Sequence, residues 1–314
     1  MRPGQPERRS RWLLALLVLI WGASWPVIKI GVTTVPPIWF ACLRYVVGTA
    51  CLVGIVALRG ELTLPSPSDW KLIAVSGVLQ MATYSALTGL ALTRLPPGRS
   101  SVLAFSTPLW VVPLSVWWLR ERVPWSGRIG VGTGLMGVLV IASPGWQATA
   151  RDQLVPYTLL MCAAAGWALS IVYVRAHRFQ ASALALAPWQ MLVAALLLLP
   201  CAIVVDGALP SLDIRGLASL AYVGPIATAF AYWAVVEVGR YVRATTMSVT
   251  LQVVPSVGLL ISALTFHEAV NASLGLGIVL ISAGVLLTNT DLPRKWPRKV
   301  ALAAATCAST RRLD

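Results

Sequence analysis

Charged side chains are scarce in this sequence. Of its 314 residues, 11% are Asp, Glu, Lys or Arg, whereas a typical soluble domain carries about 25%. Hydrophobic residues make up 57% of the chain, and the mean hydropathy is +0.76. A soluble protein of this length could not cover its surface with so little charge. The composition therefore excludes that class and predicts a membrane protein with several spans.

Acidic residues are rarer than basic residues. There are 11 Asp and Glu against 25 Lys and Arg, which gives a net charge of +14. No carboxylate falls in the middle of an apolar segment, and both histidines fall in predicted loops, so a dedicated proton relay is not indicated. The excess cations lie in short loops and tails. Such placement is typical of topology signals, and we expect no nucleic-acid partner.

Motifs for metal, redox and nucleotide chemistry are missing as well. The five cysteines lie far apart and form no CxxC pair. The sequence contains no nucleotide-binding loop, metalloprotease motif or nucleophile elbow. We therefore expect no metal, no cofactor and no enzymatic activity.

Long apolar runs are what the sequence has in abundance. A helix needs about 20 mainly apolar residues to cross a bilayer, and ten segments meet that requirement, separated by turn signals such as VPP and LPPG. We predict an all-α integral membrane protein with ten transmembrane helices. The segments are 12–31, 36–58, 70–93, 98–119, 127–146, 154–175, 184–205, 216–238, 244–265 and 271–290.

Lys and Arg are distributed unequally between the two sets of loops. If the N-terminus is cytoplasmic, 19 cations lie on the cytoplasmic side and four on the other, and two fall within spans. This bias predicts a multi-pass protein of the cell membrane with both termini inside. Residues 1–11 and the basic segment 291–314 are then cytoplasmic tails.

The fourth and ninth segments share a residue pattern. TPLWVVPLSVWWLRE (107–121) and VPSVGLLISALTFHE (254–268) align at a shift of 147 residues, which gives 11 identities over the 39 positions 101–139. Apolar composition alone would give about 10% identity, so we predict two five-helix copies, 12–146 and 154–290. Because five is odd, the second copy is inverted in the membrane, which is a transporter architecture.

Further motifs accompany this duplication. WGASWPVIK lies in the first segment, Leu-Arg-Glu ends the fourth, and GPIATAFAYWAVV (224–236) lies in the eighth. Together with the two copies they resemble the EamA-type branch of the drug/metabolite transporter superfamily over about residues 12–290. The resemblance implies export or exchange of amino acids, other small metabolites or drugs. The sixth segment departs from the first, because Gly166-Trp167 is not followed by a proline and a lysine.

Two cations fall inside predicted spans. Charged groups in the hydrocarbon are costly and are often functional. Lys29 lies near the outer end of the first segment, and Arg44 lies about 12 Å into the second at 1.5 Å per residue. We expect them at similar depth, where two unpaired cations would favour an anionic group such as a carboxylate. The alternatives are snorkelling of Lys29 to the interface and a contact of Arg44 with helix-end carbonyls.

Aromatic and amide side chains complete the predicted substrate cavity. Such rings suit an amphipathic or aromatic solute, although interfacial belts and helix–helix hydrogen bonds are alternative roles. The cavity candidates besides the two cations are Trp21, Trp25, Tyr84, Trp167, Tyr232 and Gln252.

Prolines and two equivalent glutamates have predicted mechanical roles. Pro26, Pro108 and Pro255 free backbone carbonyls and permit helix bends that could act in gating. Glu121 and Glu268 end equivalent helices, and we expect them to be structural ion pairs or caps between the halves.

The function that fits these features is secondary transport. We expect a small-molecule substrate, the lipid bilayer as environment, and a homodimer built on glycine-rich faces in 127–137 and 274–284. A channel or structural protein is the alternative. A membrane-embedded enzyme fits less well because it would need clustered His, Asp or Glu at one depth.

Overall fold

The computed structural model describes residues 5–121, 123–142, 151–177, 181–239, 241–242, 247 and 250–290. The predicted tail 291–314 lies outside the described residues. The described part is helical, and its main helices, numbered in chain order, are α1 Gln5–Thr34, α2 Pro37–Leu58, α3 Asp69–Arg94, α4 Pro97–Leu119, α5 Trp125–Ala142, α6 Arg151–Ala176, α7 Ala183–Val205, α8 Ile214–Gly239, α9 Val254–Phe266 and α10 Ala272–Thr290.

Seven of these helices are long and apolar enough to cross a membrane, and α5, α9 and α10 are shorter apolar helices. Large apolar side chains are exposed along their outer faces, for example Trp117, Leu260 and Val279. In lipid these side chains need no cover, while helices satisfy their own backbone groups. The chain is thus a multi-pass membrane protein.

Helix α9 begins at Val254, later than the predicted 244, after a turn at 252–253.

Several backbone irregularities recur 147 residues apart, at the spacing of the sequence matches. A π-helical segment interrupts α3 at Ser76–Thr83 and α8 at Val223–Phe230. A turn at 105–106 divides α4, and its equivalent at 252–253 precedes α9. Arg120 and His267, which follow α4 and α9, have left-handed backbones with φ of 53° and 52°.

Glycine faces bring α5 and α10 into close contact. A Cβ at Gly130 would lie 2.7 Å from the carbonyl oxygen of Gly284, and one at Gly137 would lie 2.8 Å from that of Gly277. The two helices are therefore antiparallel, and only glycine fits at these positions. These glycines pack within the chain, so they do not support the expected homodimer, which stays a prediction.

Candidate functional site

A cavity of about 580 Å³ is lined mainly by α1, α2, α3, α4, α6 and α8, with further lining residues from α5, α7 and α10. Its volume is in the range of small-molecule sites. The π-helical segments of α3 and α8 contribute Gln80 and Thr228 to the wall, at points where the helix is locally widened. Helices from both halves of the chain therefore surround one space.

The cavity is exposed at one end. The lining residues that are exposed are Pro124, Arg175 and Ala183, which lie just after α4, at the end of α6 and at the start of α7. Toward the other end the lining residues Thr88 and Leu92 are buried. We call these the open end and the closed end.

Glu268 ties the closed end together. Its carboxylate accepts hydrogen bonds from the backbone N–H groups of Gly98 at 2.9 Å and Arg99 at 3.0 Å, and from Ser262 Oγ. The carboxylate thus lies at the N-terminus of α4, where the helix dipole favours negative charge. A Cβ at residue 98 would lie 2.6 Å from Glu268 Oε2, so the contact also requires glycine there.

Two further contacts join helices at the closed end. Asp206, just after α7, accepts hydrogen bonds from the N–H groups of Ile38 and Trp39 at the start of α2, at 2.9 and 3.1 Å. Lys29 Nζ donates to the carbonyl oxygens of Leu92 and Thr93 near the end of α3. The structure therefore places the Lys29 amine on helix-end carbonyls and outside the cavity lining, whereas we expected it beside Arg44.

Arg44 lines the cavity from α2. Its Nε donates to Thr228 Oγ1 at 2.7 Å, and its guanidinium carbon lies 5.4 Å from the centre of the Tyr45 ring. Within the described part of the chain, Arg44 forms no ion pair, and neither Nη group has a protein acceptor. The guanidinium therefore retains two donor groups in a fork geometry suited to a carboxylate.

Aromatic rings form much of the remaining wall. Tyr84 and Trp167 contact edge to face with ring centroids 4.8 Å apart. Trp21 Nε1 donates to the Ala227 carbonyl oxygen at 3.1 Å. These rings present faces and edges to the cavity while their polar atoms stay partly paired.

The other predicted residues divide between lining and structure. Trp25, Tyr232 and Gln252 line the cavity, with Trp25 only 5% exposed and the Tyr232 hydroxyl donating to Gln190 Oε1 at 3.0 Å. Glu121 lines the open end, unlike its equivalent Glu268.

The three prolines lie in different places. Pro26 is inside α1, and Pro108 lines the cavity just after the turn that divides α4. Pro255 is in the first turn of α9, and its carbonyl oxygen accepts from Ser101 Oγ at 3.4 Å.

The structure adds residues that we had not predicted. Thr228, the hydrogen-bond partner of Arg44, lies four positions before Tyr232 and so on the same helix face. Because Tyr232 was a predicted cavity residue, this spacing would have predicted Thr228 as another. Arg175, the last residue of the sixth predicted segment and one of the 19 cations on the cytoplasmic side, lines the open end. Phe105 lines the cavity at the break in α4, where the sequence predicted an unbroken helix.

The sequence profile of the EamA-like transporter family matches residues 10–143 and 154–290. The chain belongs to the EamA-like transporter family. The resemblance seen in the motifs is therefore confirmed, and the described cavity is that of an EamA-like transporter.

Relatives of this EamA-like transporter are known from several bacteria. The uncharacterized transporter YvbV of Bacillus subtilis (strain 168) is 26% identical over 91% of this chain and 93% of its own length. A protein of Escherichia coli (strain K12) named "Probable amino-acid metabolite efflux pump" is 24% identical over 95% of this chain and its full length. A protein of Streptantibioticus cattleyicolor, named "Probable terminal-alkyne amino-acid exporter", is 25% identical over 90% of this chain and 93% of its own length.

A solved crystal structure shares this architecture with a TM-score of 0.62. It covers 91% of this chain and 97% of its own, at 22% identity. At that identity the likeness establishes the fold and nothing about the solute.

Proposed function

We propose that this EamA-like transporter exports or exchanges small organic metabolites or drugs by alternating access. The observation that carries the proposal is the cavity shared by both halves, exposed at one end and buried at the other. A carrier needs a binding site that reaches one face at a time. The names of the Escherichia coli and Streptantibioticus relatives, which refer to amino-acid metabolites and to a terminal-alkyne amino acid, support the solute class.

The proposed architecture is ten spans arranged as two inverted five-helix repeats, 12–146 and 154–290. Support comes from the recurrences at 147 residues and from the antiparallel contact of the equivalent helices α5 and α10. A two-fold axis in the membrane plane exchanges Gly130 with Gly277 and Gly137 with Gly284, and so maps each contact pair onto the other. An inverted repeat makes the two access states nearly equivalent in energy.

The proposed orientation has both termini in the cytoplasm, from the 19 to four bias of Lys and Arg. The loop from α4 to α5 and the loop from α6 to α7 are then cytoplasmic. The open end faces the cytoplasm, and the conformation described is the inward-facing one. Export would begin from this state, with solute entering past Glu121 and Arg175.

Transport by purified protein in proteoliposomes tests the proposal. A panel of amino acids, organic anions and cationic drugs would be offered with and without unlabelled solute on the opposite side. We expect saturable flux of at least one class, accelerated by solute on the other side, because a carrier returns faster when loaded. Flux that rises linearly with concentration would indicate a channel, and no movement of any solute in folded protein would contradict the proposal.

A further inference from the structure

The centre of the cavity carries charge of one sign. Arg44 is the lining cation there, whereas the other charged lining residues, Glu121 and Arg175, lie at the open end. No other acidic side chain is found among the lining residues that the structure describes. A solute seated beside Arg44 thus meets a cation and no carboxylate.

Several other polar groups of the cavity wall form hydrogen bonds within the protein. The Tyr45 hydroxyl is bonded to Ser85 Oγ at 2.8 Å and to the Met81 carbonyl at 3.2 Å. The Tyr232 hydroxyl donates to Gln190, and Trp21 donates to a backbone carbonyl. These groups are neutral, so none of them forms an ion pair with an additional cation on the solute.

Much of the rest of the cavity wall is apolar and aromatic. Tyr84 and Trp167 form the edge-to-face pair, and Met81 and Phe105 add apolar surface. This surface suits an aromatic or branched hydrocarbon body. A very polar or multiply charged solute would have to give up its hydration against these groups.

We propose that the cavity takes monocarboxylate anions with an aromatic or branched apolar body, in preference to the zwitterionic amino acids with the same body. This inference rests on the proposed transport function and narrows its solute class. The two Nη groups of Arg44 donate to the two carboxylate oxygens, and Thr228 holds the guanidinium through Nε in the required orientation. An α-ammonium group would lose water without gaining a carboxylate, and this loss disfavours the zwitterion.

Three probes with one hydrocarbon body test this directly: 3-phenylpropionate, its neutral amide 3-phenylpropionamide, and phenylalanine. Binding to purified protein in detergent would be measured by calorimetry, and counterflow would be measured in proteoliposomes. We expect 3-phenylpropionate to bind about tenfold or more tightly than either of the others. Equal or tighter binding of phenylalanine would overturn the proposal while leaving the transport function intact.

Variants of Arg44 assign the preference to its guanidinium. Arg44→Gln should lower affinity for the anion by about tenfold or more and leave the affinity for the amide within twofold, which also shows that the cavity is still formed. Arg44→Lys should be intermediate, because the ammonium keeps the charge but loses the fork. Arg59→Gln is the matched control. Arg59 does not line the cavity, and its Nε pairs with Glu61 Oε1 at a distance of 3.2 Å.

The outcomes separate the two proposals. If Arg44→Gln lowers affinity for anion and amide equally, Arg44 only supports the fold and the solute class is wrong. If the anion binds as expected but no probe crosses the bilayer, the solute class stands and the transport function fails. If Arg44→Gln does not fold, the affinities of the wild type and of Arg44→Lys for the same three probes still test the preference for the anion.

Discussion

Glu121 and Glu268 occupy equivalent positions in the sequence but different surroundings in the fold. Glu268 accepts from two backbone N–H groups of α4, whereas Glu121 lines the open end of the cavity. Ser115, the equivalent of Ser262, is buried, and its hydroxyl has no partner in the described structure. Within the described residues, Glu268 thus caps a helix across the closed end and Glu121 does not, which agrees with the proposal of two access states.

Glu268→Gln should weaken the closed end. The neutral amide can still accept one N–H, but it loses the charge that strengthens both bonds and interacts with the helix dipole. We expect a loss of about 1–2 kcal/mol from that contact, seen as a lower melting temperature in detergent. Glu61→Gln is the control, because exposed pairs such as Arg59–Glu61 are worth about 0–1 kcal/mol. An unchanged melting temperature in Glu268→Gln would show that the cap does not hold the closed end.

At the scale of helices, close packing depends on where the glycines face. Gly130, Gly137, Gly277 and Gly284 meet backbone atoms across the α5–α10 contact. Gly132 and Gly275 lie on the same two helices, but a Cβ there would have nothing within 4 Å. The two helices thus contain positions where the packing requires glycine and positions where a larger residue has room.

Substitution by alanine should separate these positions. Gly137→Ala must push α5 away from the Gly277 carbonyl, and overpacking of this kind costs about 1–3 kcal/mol. Gly132→Ala should instead leave stability unchanged or raise it by up to about 1 kcal/mol, since alanine favours the helix. Thermal unfolding in one detergent compares the two variants, and equal melting temperatures would contradict the described contact.

Helix positions were largely predictable, because runs of apolar residues are long and turn residues separate them. The π-helical segments were not predictable, since no residue type marks Ser76–Thr83 or Val223–Phe230. In the site, single residues were predictable, but their contacts with residues distant in the sequence were not. Arg44 stands out in an apolar run, but its bond to Thr228 joins residues 184 positions apart. The Lys29 contact likewise depends on where α3 ends relative to α1, which the sequence pattern does not specify.

At the scale of the whole molecule, the two ends differ in how firmly they are joined. At the closed end, bonds link α9 to α4, α7 to α2 and α1 to α3. At the open end, cavity residues between α4, α6 and α7 are exposed. Under the alternating access proposed above, the closed-end bonds break while the open end closes.

Cysteine labelling from each side of the membrane tests this difference. Thr88 is a lining residue 6% exposed, toward the closed end. With Thr88→Cys in a cysteine-free background, a membrane-impermeant maleimide should react faster from the cytoplasmic side. If the inward-facing state is favoured by about 1.4 kcal/mol, the rates should differ about tenfold. Val123→Cys in the α4–α5 loop and Leu209→Cys in the α7–α8 loop identify the two faces independently.

The pattern of rates distinguishes a carrier from a pore. In a carrier, a bound solute that shifts the equilibrium outward should slow labelling of Thr88→Cys from the cytoplasm and speed it from outside, because the two states exclude each other. In a channel both faces reach residue 88 at once, so the two rates would be similar and a bound solute would lower both together. Similar rates from both faces would therefore contradict alternating access, whichever solute the cavity takes.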